Sequence, residues 1–295
     1  MRRVRRIIKN LDYELKWGYP ELTKRNREQF AEDDRLRAFI GSILKLEGHE
    51  KILDVGCGIG TFPKLIIPLI EKGEIIGIDL NPVLIEFGNQ HWGKPPNIHL
   101  KVGNANQIPY PDQSFNIITS MGLIENVSNA DRVLTEMIRI CTHPGKIIIV
   151  HIDVLNYITI PEAKDYNQIF YDTLKGMRKV GVDVELSRFK AVCKNKHLPV
   201  KKFTLMLDSR YKITEELIDF SIKAMETFYK NETLIQQSIE FYYQYLKYVG
   251  WTEKEVQQTF SLKICSGYRD YLTTHLGEEL YRNTPINVYR IIYPE

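Results

Sequence analysis

An α/β fold built on an open, doubly wound, mostly parallel sheet is predicted by three features of the sequence. Between residues 50 and 150, short runs rich in Ile and Val alternate with helix-like segments. A glycine-rich turn follows the first of those runs, and a long helical stretch is inserted before a final alternating run. With 295 residues and 43% hydrophobic composition, the chain can bury a full core.

The first strand is Lys51–Val55, and the helix after the glycine turn contains Pro68, which removes a backbone hydrogen bond and should kink or shorten it. Gly73 can stop that helix before the second strand, Ile75–Ile78. Asn81 before Pro82 reads as a cap with proline at the first helical position. The third and fourth strands are Ile98–Val102 and Phe115–Ser120. Ser128 and Asn129 precede a helix with Val133, Leu134, Met137, Ile138 and Cys141 on one face, and His143-Pro144-Gly145 ends it before the fifth strand, Lys146–Val150. Apolar runs this short suit strands buried on both faces.

Further on, helices are predicted over Ala163–Lys179 and again after Gly181-Val182-Asp183, with a sixth strand near Phe203–Leu207. Residues 214–282 read as helical throughout. Thr252 and Glu255 are spaced as a capping box, Trp251 and Val256 as its staple, and Gly250 separates two helices. The alternation from Ile286 to Tyr293 gives the last strand of a seven-stranded sheet. The expected organisation is an N-terminal helical segment (1–35), a core (36–208), a helical cap (209–283) and a final core strand (284–295).

Lys and Arg total 40 against 37 for Asp and Glu, and a balance of +3 gives no whole-protein case for nucleic acid or membrane. Cys57, Cys141, Cys193 and Cys265 form no CxxC pair, so neither a zinc site nor a redox motif is indicated. Free thiols and a cytoplasmic location are the simplest reading. The basic opening, Met1 to Asn10, lacks the apolar stretch of a secretory signal. It reads either as a solvated helical turn or as a patch for an anionic partner.

The first strand runs into Gly56, Gly58 and Gly60, a turn in which a ligand can lie against bare backbone. A dinucleotide loop requires G-x-G-x-x-G, and here the third glycine arrives one residue early, with Thr61 after it. A phosphate-loop Gly-Lys-Ser/Thr is also missing. Asp54, just before the glycines, places negative charge where a pyrophosphate would sit and so suits a cationic ligand. Asp79 closes the second strand, where a carboxylate can accept from both hydroxyls of a ribose.

These residues carry a resemblance. Ile52-Leu53-Asp54-Val55-Gly56-Cys57-Gly58-Ile59-Gly60 resembles the first motif of class I S-adenosylmethionine-dependent methyltransferases, and Gly77-Ile78-Asp79 resembles their second. Val102-Gly103-Asn104-Ala105 resembles their adenine-binding motif, Ser114 to Ser120 their fourth strand, and Pro144-Gly145-Lys146 the turn before the fifth. The likeness is to the small-molecule, quinone-biosynthesis branch and covers residues 50–150. It implies a Rossmann-like sheet, S-adenosylmethionine as cofactor with no metal, and a site made of Asp54, Gly56, Cys57, Gly58, Gly60, Asp79, Leu80, Asn104, Ala105, Ser120 and Met121. Asn104 and Asn116 stand where the family usually has Asp, and Asn104 can accept from the adenine amine through its carbonyl oxygen. The family often has Leu-Glu-His after the fourth strand. This chain has Ile124-Glu125-Asn126, so that histidine base does not carry over.

Methyl transfer from a sulfonium is an in-line displacement that alignment and exclusion of water can accelerate without a dedicated base. For an acceptor that must lose a proton, His151 and Asp153 sit just past the fifth strand at the ligand-binding edge; the other reading is polar residues ending a strand. Phe228, Tyr229, Phe241, Tyr242, Tyr243, Tyr245, Tyr248 and Trp251 read as an acceptor lid or as a helix-packing core. Tyr13, Trp17 and Tyr19 read similarly, over the cofactor or against the domain. The expected function is methylation of a small molecule. The alternatives are a non-catalytic cofactor-binding regulatory module, and an RNA or protein methyltransferase resting on the basic opening. Nothing in the sequence speaks to oligomeric state.

Overall fold

The computed structural model describes residues 28, 30–93, 95–127, 129–152, 164–180, 183, 186–230, 232–259 and 270–292. The expectations placed on the first 27 residues, Ser128, Asp153, Ala163, Cys265 and Tyr293 lie outside these residues.

Seven strands form one sheet in the order β3-β2-β1-β4-β5-β7-β6. They are β1 (Lys51–Val55), β2 (Glu74–Asp79), β3 (Ile98–Val102), β4 (Phe115–Met121), β5 (Cys141–Ile152), β6 (Val200–Lys212) and β7 (Glu279–Ile292). The first five are mutually parallel, and β7 pairs antiparallel to β5, with Ile152 opposite Ile286. This is the mostly parallel, doubly wound sheet that the strand and helix rhythm predicts.

The described residues divide into two units, one built on 28–152, 186–205 and 286–292, the other on 164–183 and 206–285. The first unit holds the helices α1 (Asp34–Leu44), α2 (Thr61–Ile66), α3 (Pro82–His91), α4 (Ala130–Ile140) and, after the fifth strand, α6 (Ser187–Asn195). Leu53 and Val55 of β1, Ile76 and Ile78 of β2, and Ile147 and Ile149 of β5 project two apart onto one sheet face. There they meet Val133, Leu134, Met137 and Ile140 of α4 and Phe189 and Cys193 of α6. Each such side chain removed from water stabilises the fold by roughly 1.5–3 kcal/mol.

Local chemistry sets the boundaries. Asn81 Oδ1 accepts from Val83 N at 2.9 Å and starts α3 as its sequence predicts. Pro68 does shorten the first helix: α2 stops at Ile66 and the chain tightens into a 3₁₀ turn, Ile67–Leu69. Cys141 is not on the helix face with Val133 and Met137 but begins β5. The reason lies in the preceding carbonyls, since Arg139 O and Ile140 O accept from Gln113 N and Ser114 N, which draws the chain into extended pairing. The strand then carries a bulge, because Cys141 pairs with Phe115 and Lys146 with Ile117. Beyond it, Lys146 Nζ donates to Leu44 O and Lys45 O, satisfying carbonyls at the end of α1.

The second unit packs α5 (Lys164–Lys179), α7 (Glu215–Tyr229), α8 (Glu232–Leu246) and α9 (Glu253–Thr259). Its core joins Ile169, Ile239, Leu246 and Val256 with Tyr242, Tyr243 and Trp251, and Tyr245 is 2% exposed. These aromatics therefore serve helix packing. Trp251 Nε1 donates to Asp172 Oδ2 at 3.0 Å, and a Cβ on Gly176 would come within 2.2 Å of Tyr245 O, so only glycine fits between α5 and α8. The predicted capping box is present, with Glu255 Oε2 accepting from Thr252 N at 2.7 Å. The helical reading of 214–282 overreaches, because β7 starts at Glu279. Gly277, at φ +91°, turns the chain, and its N donates to Ile213 O while Ile213 N donates to Glu278 O, both at 2.8 Å. Among the described residues no helix is long and apolar enough to cross a membrane.

Candidate functional site

From β1 the chain winds outward through β2 and β3 and then returns to β4 on the other side, so winding reverses between β1 and β4. In open α/β sheets the carboxyl edge at that point is where ligands bind. The glycine turn leaves β1 there. Gly56, Gly58 and Gly60 have φ of +75°, +56° and +84°, in the left-handed region that side chains disfavour. Gly56 N and Cys57 N both donate to Ile78 O, at 2.8 and 3.0 Å, which pins the turn to β2. A Cβ on Gly56 would meet the Leu123 side chain at 2.8 Å, and one on Gly60 would meet Leu100 Cδ1 at 2.8 Å.

Two carboxylates flank this turn. Asp79 Oδ2 accepts from Gly58 N and its Oδ1 from Asn81 N, each at 2.9 Å. One side chain thus fixes both the glycine turn and the entry to α3. Asp54 is 1% exposed. Its Oδ1 accepts from Thr119 Oγ1 at 2.8 Å, but its Oδ2 is buried with no hydrogen-bond partner among the described residues. Burial raises its carboxyl from the usual 3.8 to about 7, against the lowering bond from Thr119 and with a smaller raising contribution from Asp79. A buried carboxyl oxygen without a hydrogen-bond partner is costly to the fold.

The remaining residues implied by the resemblance fall around the same edge. The Cys57 thiol turns away from it into the core, within 2.8 Å of a Cβ position on Gly77, and burial pushes it well up. Within the turn its Sγ donates to Gly58 O at 3.6 Å. Ser120 is 1% exposed and its Oγ donates to Val55 O at 2.8 Å, locking the ends of β1 and β4. Met121 and Gly122 follow, half-buried, with Gly122 at φ +71°. Ala105 packs against the core. Asn104 Oδ1 accepts from Asn106 N at 2.8 Å and Asn106 Nδ2 at 3.3 Å, so the oxygen predicted to read adenine also closes its own turn. That turn is held from below, where Arg139 donates to Ile108 O, Tyr110 O and Asp112 and pairs with Glu136, whose Oε2 accepts from Ile108 N.

Leu80 and Val102 are each 55% exposed at the carboxyl ends of β2 and β3, and Asp79 and Val102 are register partners. They form an apolar step beside the two carboxylates. Val102 opens the segment that resembles the adenine-binding motif.

His151, at the end of β5, is 4% exposed and meets Glu125, with Nδ1 3.2 Å from Oε1. Glu125 lies in the turn after β4, two residues beyond the Leu123 that covers Gly56. Sequence reading considered the two residues separately and missed the pair, because they are 26 positions apart and meet only through the pairing of β4 with β5.

Comparison with known proteins adds to this geometry. A family profile described as a methyltransferase domain matches residues 46–198. The chain is 32% identical over 166 residues to a ubiquinone/menaquinone biosynthesis C-methyltransferase from Citrifermentans bemidjiense, covering 54% of this chain and 66% of that one. It is 32% identical over 108 residues to a demethylmenaquinone methyltransferase from Lactobacillus johnsonii, covering 35% of this chain and 44% of that one. It thus spans just under two thirds, or less, of the length of these relatives. Among solved structures, a protein described as a putative methyltransferase from Bacillus halodurans superposes with a TM-score of 0.51 at 16% identity, covering 88% of this chain and 98% of that one. That likeness is one of fold.

Proposed function

The chain belongs to the family of methyltransferase domains, and on that premise we propose that it methylates a small-molecule acceptor with S-adenosylmethionine as donor. The observation that carries the proposal is the orphaned Oδ2 of Asp54, buried beside a glycine turn that a second carboxylate, Asp79, holds open. A nucleotide phosphate would be repelled there, whereas a ligand with a cationic amino-acid end and a neutral nucleoside end matches both carboxylates.

In this reading Asp54 receives the ammonium group, and the backbone of Gly56 to Gly60 lies against the amino-acid portion. Asp79, at the end of β2, accepts from the ribose hydroxyls. Leu80 and Val102 flank the adenine, whose edge meets the turn of Asn104 and Ala105. When bound, the cofactor supplies a methyl group on a positively charged sulfur. The work of the chain is then to align an acceptor with that group and to exclude water. The relatives named for quinone biosynthesis support a ring-type small molecule as acceptor.

Incubating the full chain with methyl-labelled S-adenosylmethionine and reduced demethylmenaquinone tests the proposal. Label in an organic-extractable product is expected. Saturable cofactor binding with no labelled product from any cell extract would favour a non-catalytic module instead.

A further inference from the structure

The turn after β4 carries Glu125 but has Asn126 where relatives of this kind often place a histidine, and Asn126 Nδ2 is turned back to donate to Gly122 O at 2.7 Å. An imidazole nevertheless reaches this turn from another strand. His151 enters from the end of β5, its side chain 5% exposed, and places Nδ1 3.2 Å from Glu125 Oε1. Among the described residues this is the one polar contact of its side chain, and Glu125 Oε2 is buried with no hydrogen-bond partner. On the strand side, His151 is opposite Asn287 of β7, which is 2% exposed and whose Oδ1 accepts from Thr204 Oγ1 at 2.8 Å. The pair lies at the carboxyl edge of the sheet, where Val150, the residue before His151, is the register partner of Met121, and Leu123, two residues before Glu125, closes over Gly56.

The geometry points to His151 as the proton acceptor for a hydroxyl of the methyl acceptor, with Glu125 as its positioning residue. This rests on the methyl-transfer reading above. A carboxylate at Nδ1 accepts the Nδ1–H and so leaves Nε2 as the bare, basic nitrogen. In the step assigned here a ring O–H bond of the acceptor breaks, an Nε2–H bond forms, and the electron pair left on oxygen is shared with the ring. The ring's nucleophilic atom takes the methyl group as the donor's C–S bond breaks and its electron pair leaves on a neutral thioether; where that atom is a ring carbon, its hydrogen then moves to the ring oxygen. The resulting imidazolium keeps its Nδ1–H on Glu125, whose charge offsets it, and returns the proton to solvent after turnover. An acceptor that is already a free amine has no need of this pair. A phenol-type hydroxyl has, because its neutral form is a weak nucleophile at neutral pH.

The test uses the full chain with ¹⁵N-labelled histidine, comparing the unaltered protein with H151N, E125A and E125Q. H151N identifies the His151 resonances among the seven histidines. A protonated Nδ1 and a bare Nε2 are expected in the unaltered chain, with the preference lost in E125A. All variants are expected to bind S-adenosylhomocysteine within about twofold of the unaltered chain, while H151N methylates reduced demethylmenaquinone at least about 100-fold more slowly. E125A should fall between the two, and E125Q, which keeps an oxygen for Nδ1–H, should recover part of the rate. A His151 that carries its proton on Nε2, or an H151N variant with undiminished turnover, would overturn the inference alone. Failure of the unaltered chain to bind S-adenosylhomocysteine would overturn the methyl-transfer reading and this one with it.

Discussion

Thr119 Oγ1 donates a hydrogen bond to Asp54 Oδ1 across 2.8 Å from the neighbouring strand, and the other oxygen of the same carboxylate is buried without a partner. The pairing of β1 with β4, which sets Asp54 opposite Thr119, thus half-satisfies the carboxylate. The unsatisfied half is what a cationic ligand end would complete.

Cofactor affinity should depend on pH through Asp54. Burial raises its carboxyl to about 7, and a cation binds its charged form, so protonation competes with binding and affinity rises as pH rises through that value. Between pH 6 and 8 the dissociation constant should tighten about tenfold, by calorimetric titration in buffers of equal ionic strength. In D54N the tightening should vanish, and in T119V, which removes the one bond favouring the charged form, it should move to higher pH. The unliganded fold should respond the opposite way. Its Asp54 holds a proton that the unfolded chain releases from about 3.8 upward, so stability from this group falls as pH rises from there to about 7.

Gly56→Ala should destabilise the sheet unit through two causes that can be separated. Its φ of +75° disfavours any side chain, and the new Cβ would lie 2.8 Å from Leu123. Chemical denaturation should show a loss of about 1–3 kcal/mol from backbone strain, plus a steric part. Shortening the neighbour in G56A/L123A should recover only the steric part, as a non-additive coupling in the double-mutant cycle.

Glu136 should make the Asn104 turn acid-sensitive. Its bond to Arg139 is the largest cause holding its carboxyl below the usual 4.5, and its bond from Ile108 N adds to that. Because the folded value is depressed, this contribution is fully present above about 4.5 and is lost as pH falls through the folded value. E136Q should therefore flatten the acid limb of the stability profile in thermal melts. E136A, which leaves Asp112 as the carboxylate paired with Arg139 and removes the acceptor for Ile108 N, should cost about 1.5–3 kcal/mol at neutral pH.

Sequence pattern carried the parallel core because its signals are local. Apolar runs one strand long name β1 to β4 nearly to the residue, Pro68 marks where α2 stops, and Asn81 and Thr252 announce their caps by spacing alone. Where it failed, the deciding contact was distant. Cys141 fits the helix face, yet carbonyl bonds from Gln113 and Ser114 make it a strand. Residues 279–282 fit a helical run, yet Gly277 and Ile213 turn them into β7. The same holds at the candidate site. The spacing of Asp54, Gly56, Gly58, Gly60 and Asp79 is legible because one strand-turn-helix unit and its neighbour hold them. The orphaned oxygen of Asp54 depends on Thr119, and the meeting of His151 with Glu125 on the pairing of β4 with β5, neither of which leaves a mark in local sequence.

The most direct test of the central claim is equilibrium titration of the full chain with S-adenosylhomocysteine, beside D79A. One saturable site is predicted, weakened about 10- to 100-fold in D79A, the scale of losing charge-assisted hydrogen bonds together with the anchor at Gly58 N. No binding at millimolar ligand, or an affinity unchanged in D79A, would contradict it.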